Sequence, residues 1–286
     1  MELILGHNQF IGISHISEER SREREKKFSK VENIYKVVKK AAELGYKGMM
    51  IETHPRMLDF LNYYKNNRTF DIDFYLQVPY VQGYIKEINE KGLSGLIREF
   101  IHRTGIKSTS AMALKSVVNL AKRDYVSMAI SALQLEICPF VDVDIKVLFL
   151  HNVITDLLLA LKVRDAFIEY IEYVKEKLGV DPGFITLNFQ LFKNSFEEWN
   201  IEPSFVMTPV NPGGYDMNPS KEAVENAIKN YKGKIMAMNV LGGGAFSVER
   251  AHQYLKKFNN IEYCVVGAST EEHLRRIAEL FVEGKK

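Results

Sequence analysis

Eight short runs rich in aliphatic residues alternate with longer stretches of helical periodicity along this 286-residue chain. Few architectures accept that order, because strands that alternate with helices build parallel sheets from βα units. Strands are expected at Glu2–Gly6, Gly48–Glu52, Asp73–Gln77, Ile145–Leu150, Phe184–Asn188, Ser204–Thr208, Ile235–Asn239 and Glu262–Val266. Several are nearly unbroken apolar runs (MMIE, VLFL, YCVV), which suits strands covered by helices on one face and a packed barrel interior on the other. Between them, Ile34, Val37, Val38 and Ala41 recur at i, i+3, i+4, i+7, as do Val224, Ala227, Ile228 and Tyr231, and Leu274, Ile277, Ala278 and Phe281. Ser29 with Glu32, and Ser269 with Glu272, read as capping boxes that open the first and last of these helices. The expected fold is α/β, one (β/α)8 TIM barrel over residues 1–286 with its functional site at the carboxyl ends of the strands. An open doubly wound sheet is the alternative, and the lack of a GxGxxG turn after the first strand weighs against it.

The interval from Val78 to Asp144 is too long for one βα connection and carries helical stretches at Tyr84–Arg103 and Ala111–Ala132. It reads as a helical insertion between strands 3 and 4, covering the mouth or packing outside the barrel. The run Glu18–Lys30 mixes both signs of charge and reads as solvated surface rather than a binding arm, within a segment, Phe10–Phe28, that is a candidate lid. A net charge of +2 with both signs interspersed excludes a strong field toward nucleic acid or an anionic membrane and favours a small-molecule partner. Cys138 and Cys264 lie far apart in apolar sequence without metal-ligand spacing, which points to a reducing compartment. With no basic-then-apolar leader and no run of about 18 apolar residues, the expected location is cytoplasmic. Homo-oligomerisation stays open.

Listing the residues at the expected strand ends makes the architecture chemical. They are His7, Asn8 and Gln9; Glu52, Thr53 and His54; Gln77; His151 and Asn152; Asn188; Thr208; Asn239; and Gly267 with Ser269. Three of the chain's seven histidines fall there, and His15 follows in the first loop. His151 ends an apolar run with an imidazole suited to proton transfer, while Glu52 and His54 share a strand face if the extension continues. These three are the candidate catalytic residues, with His7, Asn8, Gln77, Asn152, Asn188 and Asn239 as candidate substrate contacts. The loops Gly242-Gly243-Gly244 and Gly267-Ala268-Ser269-Thr270 match the recurrent phosphate-binding place of barrels, after strands seven and eight, where backbone amides approach an anion beside a helix N-terminus. Lys47, Lys146 and Lys234 all precede their strands, so a Schiff-base aldolase is disfavoured. The absence of GxxxxGK[ST], HExxH and GxSxG removes P-loop, zincin and serine-hydrolase readings.

Taken with these motifs, the sequence resembles the aldo-keto reductase superfamily, barrels that reduce carbonyls with a nicotinamide cofactor. KVLFLHNV is similar to the family's fourth strand, which would make His151 its catalytic histidine; AMNVLGGGAF resembles its seventh strand and turn, and YCVVGASTEEHLRRI its last strand and cofactor-phosphate loop. In the family's pattern the second strand ends in an aspartate followed by a proton-donating tyrosine, and the third ends in a lysine. The corresponding residues are Glu52-Thr53-His54-Pro55 and Leu76-Gln77-Val78, so the tyrosine and lysine have no counterpart and another acid is required, with His54, Tyr80 and Tyr84 as candidates. The resemblance implies a diverged NAD(P)-linked oxidoreductase of a small carbonyl or hydroxyl metabolite, with Gly242, Gly243, Gly244, Gly267, Ser269 and Thr270 on the cofactor. Two further readings come from the residues themselves. His7, Glu52, His54 and His151 could ligate a divalent metal in a hydrolase or lyase, and the same glycine loops could serve a metal-free enzyme on a phosphorylated metabolite. A noncatalytic barrel that kept the fold is the remaining option.

Overall fold

A computed structural model describes residues 1–13, 17–81, 133–134, 136–202 and 204–282. Eight parallel strands close into a barrel in sequence order: β1 (Glu2–Leu5), β2 (Gly48–Glu52), β3 (Asp73–Val78), β4 (Ile145–Leu150), β5 (Asp181–Ile185), β6 (Phe205–Pro209), β7 (Ile235–Met238) and β8 (Ile261–Val266). β8 pairs with β1 from Glu2↔Tyr263 to Leu5↔Val266, which closes the ring and excludes the open doubly wound sheet. The helices are α1 (Glu18–Lys27), α2 (Val31–Glu43), α3 (Pro55–Asn66), α4 (Asn152–Ala160), α5 (Arg164–Glu172), α6 (Phe189–Glu198), α7 (Lys221–Lys229), α8 (Val248–Leu255) and α9 (Glu271–Phe281). The two expected helical stretches at Tyr84–Arg103 and Ala111–Ala132 lie outside the described residues, as does His15.

Two apolar layers follow from the strand period of two. Ile4, Met50, Tyr75, Val147, Phe149, Ile185, Phe205, Met207 and Met236 fill the barrel interior, where the ring of Phe205 lies 4.8 Å from Tyr263 and 5.5 Å from Phe149. The residues of opposite parity, such as Leu3, Met49, Leu76, Leu148 and Val206, meet the buried faces of the helices in a larger cluster. The same parity carries beyond the aliphatic part. Glu52 follows Met50, Gln77 follows Tyr75 and His151 follows Phe149, so each lies on the interior phase of its strand at the carboxyl end. The helical layer is tied to the strands by polar anchors as well: the buried Tyr170 hydroxyl of α5 donates to the Leu148 carbonyl at 2.6 Å. Tyr170→Phe is therefore expected to lower stability by about 0.5–1.5 kcal/mol, read as a small drop in denaturation midpoint with an unchanged circular-dichroism spectrum.

The largest departure from the expected elements is the fifth strand, which runs over Asp181–Ile185 rather than Phe184–Asn188. Asp-Pro-Gly looks like a turn, yet a Cβ on Gly183 would meet the Phe149 ring at 2.5 Å. The glycine leaves room for that ring in the barrel interior. Two caps also differ. α2 begins at Lys30 without a side-chain cap, since the Ser29 hydroxyl donates to the Lys26 carbonyl, and α9 is capped by Thr270 rather than Ser269.

Candidate active-site cleft

His7, in the loop that follows β1, is buried, and its Nε2 lies 3.5 Å from Oε2 of Glu52, the last residue of β2. Gln77, near the end of β3, donates from Nε2 to the same carboxylate oxygen at 3.3 Å. Three adjacent strands thus deliver a carboxylate, an imidazole and an amide to one point of the mouth. Burial pushes the Glu52 carboxyl up, but the hydrogen bond and charge of His7, with further charge from His54 and His151, outweigh it and hold Glu52 below its ordinary range. Glu52 is an ionised, nearly solvent-free carboxylate.

His54 and His151 are held by one local device used twice. Each stands at the N-cap of the helix that follows its strand, and its Nδ1 accepts the backbone N–H two residues on, Arg56 for His54 and Val153 for His151, both at 3.1 Å. An accepting Nδ1 places the proton of the neutral ring on Nε2. Burial lowers the His151 pKa, with His7 adding to the effect and Glu52 opposing it. His54 also packs edge-on against Tyr80, ring centroids 5.3 Å apart. Asn188 likewise caps a helix, its Oδ1 accepting from the Leu191 N–H at 3.1 Å, and Asn152 is the first residue of α4.

A cleft of about 770 Å³ opens over the strand ends, a size usual for small-molecule sites. It gathers part of the expected set: His7, Asn8, Gln77, Asn239, Gly243, Gly244, Gly267, Ser269 and Thr270 line it, whereas Glu52, His54, His151, Asn152, Asn188 and Gly242 do not. Gly242, Gly243 and Gly244 have φ of +55°, +68° and +99°, and a Cβ on Gly242 would meet the Phe246 ring at 2.7 Å. The triple glycine is required by backbone conformation, whatever it binds. Asn239 donates from Nδ2 to Asp216 at 3.1 Å, which orients the turn that carries these glycines. On the other wall the buried Gln9 donates to the carbonyls of Gly6 (2.6 Å) and Ala268 (3.2 Å), clamping the β1 loop onto the β8 loop.

Several groups in or beside the site carry no expectation from the sequence. Arg20 and Arg24 of α1 and His273 of α9 line the cleft, so the segment Glu18–Lys30 is not solvated surface throughout. Glu136 is buried beside the strand ends, accepting from the Thr53 hydroxyl at 2.8 Å and from the Tyr80 N–H at 3.2 Å. Burial pushes its pKa up to about 7, the Thr53 and Tyr80 hydrogen bonds opposing and Glu52 adding. Its signal in the sequence is a lone carboxylate within the apolar stretch Leu133–Phe140. The four-residue metal set does not close: among the described residues no three His, Cys, Asp or Glu side chains are disposed to hold one ion.

The chain resembles solved structures at this level of architecture. A Pseudomonas aeruginosa protein provisionally assigned as an aldo-keto reductase superposes over 99% of this chain and 90% of its own, with a TM-score of 0.56 and 15% identity. An aldo-keto reductase from Brucella melitensis matches over 98% and 88% (TM-score 0.52, 11% identity), and one from a Medee basin deep-sea metagenome over 98% and 85% (TM-score 0.52, 13% identity). The likeness is one of fold, the closed barrel of eight parallel strands. No protein-family model matches the sequence, and no curated protein matches it significantly. In this barrel the ends of β2 and β3 carry Glu52 and Gln77, and His7 of the loop after β1 meets Glu52. Among the described residues no helix is long and apolar enough to cross a membrane.

Proposed function

We propose that the chain is a nicotinamide-linked oxidoreductase acting on a small carbonyl or hydroxyl compound, with His7 as its proton-transfer residue. The observation that carries this reading is the buried His7–Glu52 pair, whose His7 lines the same cleft as the glycine loops after β7 and β8. Gly243 and Gly244, whose left-handed backbone admits close approach, and Gly267, Ser269 and Thr270 at the start of α9 suit the phosphates of a dinucleotide. When bound there, such a cofactor supplies the hydride.

The protein's own part is the proton. His7 lines the cleft with its Nε2 3.5 Å from Glu52, and its imidazole is the group that passes a proton to a developing alkoxide while the Glu52 carboxylate orients the ring. In the reverse direction neutral His7 takes the hydroxyl proton. Gln77, already oriented by Glu52, offers its amide to the substrate oxygen. His54 and His151 help keep Glu52 ionised, each ring held by the Nδ1 contact with its helix N-terminus. Metal-dependent hydrolysis has no observation that favours it.

Titration of the purified protein with NADH and NADPH, followed by cofactor fluorescence and calorimetry, tests the reading. Saturable binding with a dissociation constant below about 100 μM, or about −5.5 kcal/mol by the usual affinity arithmetic, is expected for at least one of them. No saturation at millimolar concentration of either would reject it.

A further inference from the structure

We propose that Arg20 and Arg24 of α1, with His273 of α9, form a binding site for the dianion of a phosphate monoester at the outer end of the cleft. α1 presents no buried side chain to the barrel, yet it is fastened over the mouth. Phe28, the residue that ends it, is fully buried and packs edge to face on the equally buried Phe10 at 5.0 Å, which anchors its last turn. Lys27 Nζ donates to the Ser269 carbonyl at 2.5 Å, which ties its last turn to the β8 loop, and Arg56 donates to the Phe10 carbonyl at 3.0 Å.

The charges thus brought together are not neutralised. Arg24 spends one N–H on the Ile13 carbonyl at 2.7 Å, and among the described residues neither it nor Arg20 pairs with a carboxylate. Burial lowers the Arg24 pKa and Arg20 lowers it further; burial, then Arg24, lowers that of His273, with Glu272 opposing. Two guanidinium groups that lack a carboxylate partner, standing beside an imidazole at the cleft wall, are stabilised by a dianion placed among them. Arg276 also lines the cleft but is already engaged, its Nε 2.8 Å and Nη2 2.7 Å from Glu249 Oε1. The free charge of this rim therefore comes from the helix inserted after β1.

The site belongs to the cleft of the proposed oxidoreductase and rests on that reading only for the identity of the ligand: the monoester is either the ribose phosphate that distinguishes NADPH from NADH or the phosphate of a phosphorylated substrate. Binding of NADPH, NADH and glycerol phosphate is measured by calorimetry for the full chain, for the double variant Arg20→Gln/Arg24→Gln and for Arg276→Gln, with circular dichroism to show that each variant is folded. The expected result is NADPH bound at least 10-fold more tightly than NADH, with that advantage lost in the double variant and retained in Arg276→Gln. Failure of both dinucleotides, with glycerol phosphate binding that the double variant loses, would support the phosphate site while overturning the nicotinamide reading. Equal affinity for NADPH and NADH without glycerol phosphate binding would overturn the phosphate site and leave the oxidoreductase standing. An advantage lost equally in Arg276→Gln, or no binding of any of the three, would also overturn it.

Discussion

Replacing His7 with glutamine is expected to lower turnover of a carbonyl substrate by about 10²–10⁴-fold, the usual worth of a positioned acid, while leaving cofactor affinity within a few-fold of the parent. The asymmetry follows from placement: His7 lines the cleft next to Glu52, and the glycine loops that would hold phosphates lie on the walls formed by β7 and β8. Glutamine keeps a hydrogen-bond donor for Glu52, so the buried carboxylate is not stranded and the loss reports proton transfer rather than unfolding. His151→Gln is expected to cost less, because His151 does not line the cleft. Steady-state kinetics with a panel of small aldehydes and ketones reads both variants. A His7→Gln protein as active as the parent would remove His7 from the proton path.

The second large effect concerns stability against pH and belongs to Glu136. With its folded-state pKa raised from 4.5 to about 7, Glu136 keeps a proton in the folded chain that the unfolded chain has already released over that range. The folded state then binds more protons than the unfolded one, so stability falls as pH rises from about 4.5 through 7, by on the order of 3 kcal/mol in total. Glu136→Gln is expected to flatten this slope, because the amide can still accept from Thr53 and Tyr80 but has no proton to lose. Denaturant midpoints of parent and variant at pH 5, 6, 7 and 8 measure it, the difference between the two growing with pH in favour of the variant. A difference that is the same at all four values would show that Glu136 does not titrate there.

The two carboxylates near the strand ends illustrate how environment divides similar groups. Glu52 is buried against imidazoles and lies low; Glu136 is buried against a hydroxyl and an amide, with Glu52 nearby, and lies high. Around pH 7 one is an anion and the other about half protonated, the kind of separation acid–base sites exploit. Thr53 links them through the chain, since it follows Glu52 and donates to Glu136.

Much of the barrel was legible in the residues. Period-two alternation and the 3.6-residue spacing of helix faces report burial directly, so MMIE, VLFL and the Val224–Tyr231 face could be assigned without any partner being known. The same logic located the strand ends, and with them His7, Glu52 and Gln77, because a strand that stays apolar until its last residue must turn polar where it meets solvent. β5 escaped this reasoning. Asp181-Pro182-Gly183 has the chemistry of a turn, and what makes it a strand is the Phe149 ring of the neighbouring strand, for which a Cβ on Gly183 would leave no room.

What the sequence alone determined, then, was the number and order of the elements and the polarity of one end of the barrel, since these depend on each segment's own pattern. The partners were decided by the tertiary structure. Spacing along the chain cannot say that His7 meets Glu52 across 45 residues, that His54 and His151 spend their Nδ1 atoms as helix caps, or that Arg24 comes to stand beside His273. Closure of the ring brings β1 against β8, and only that closure carries the charged helix after β1 over the loops that end the chain.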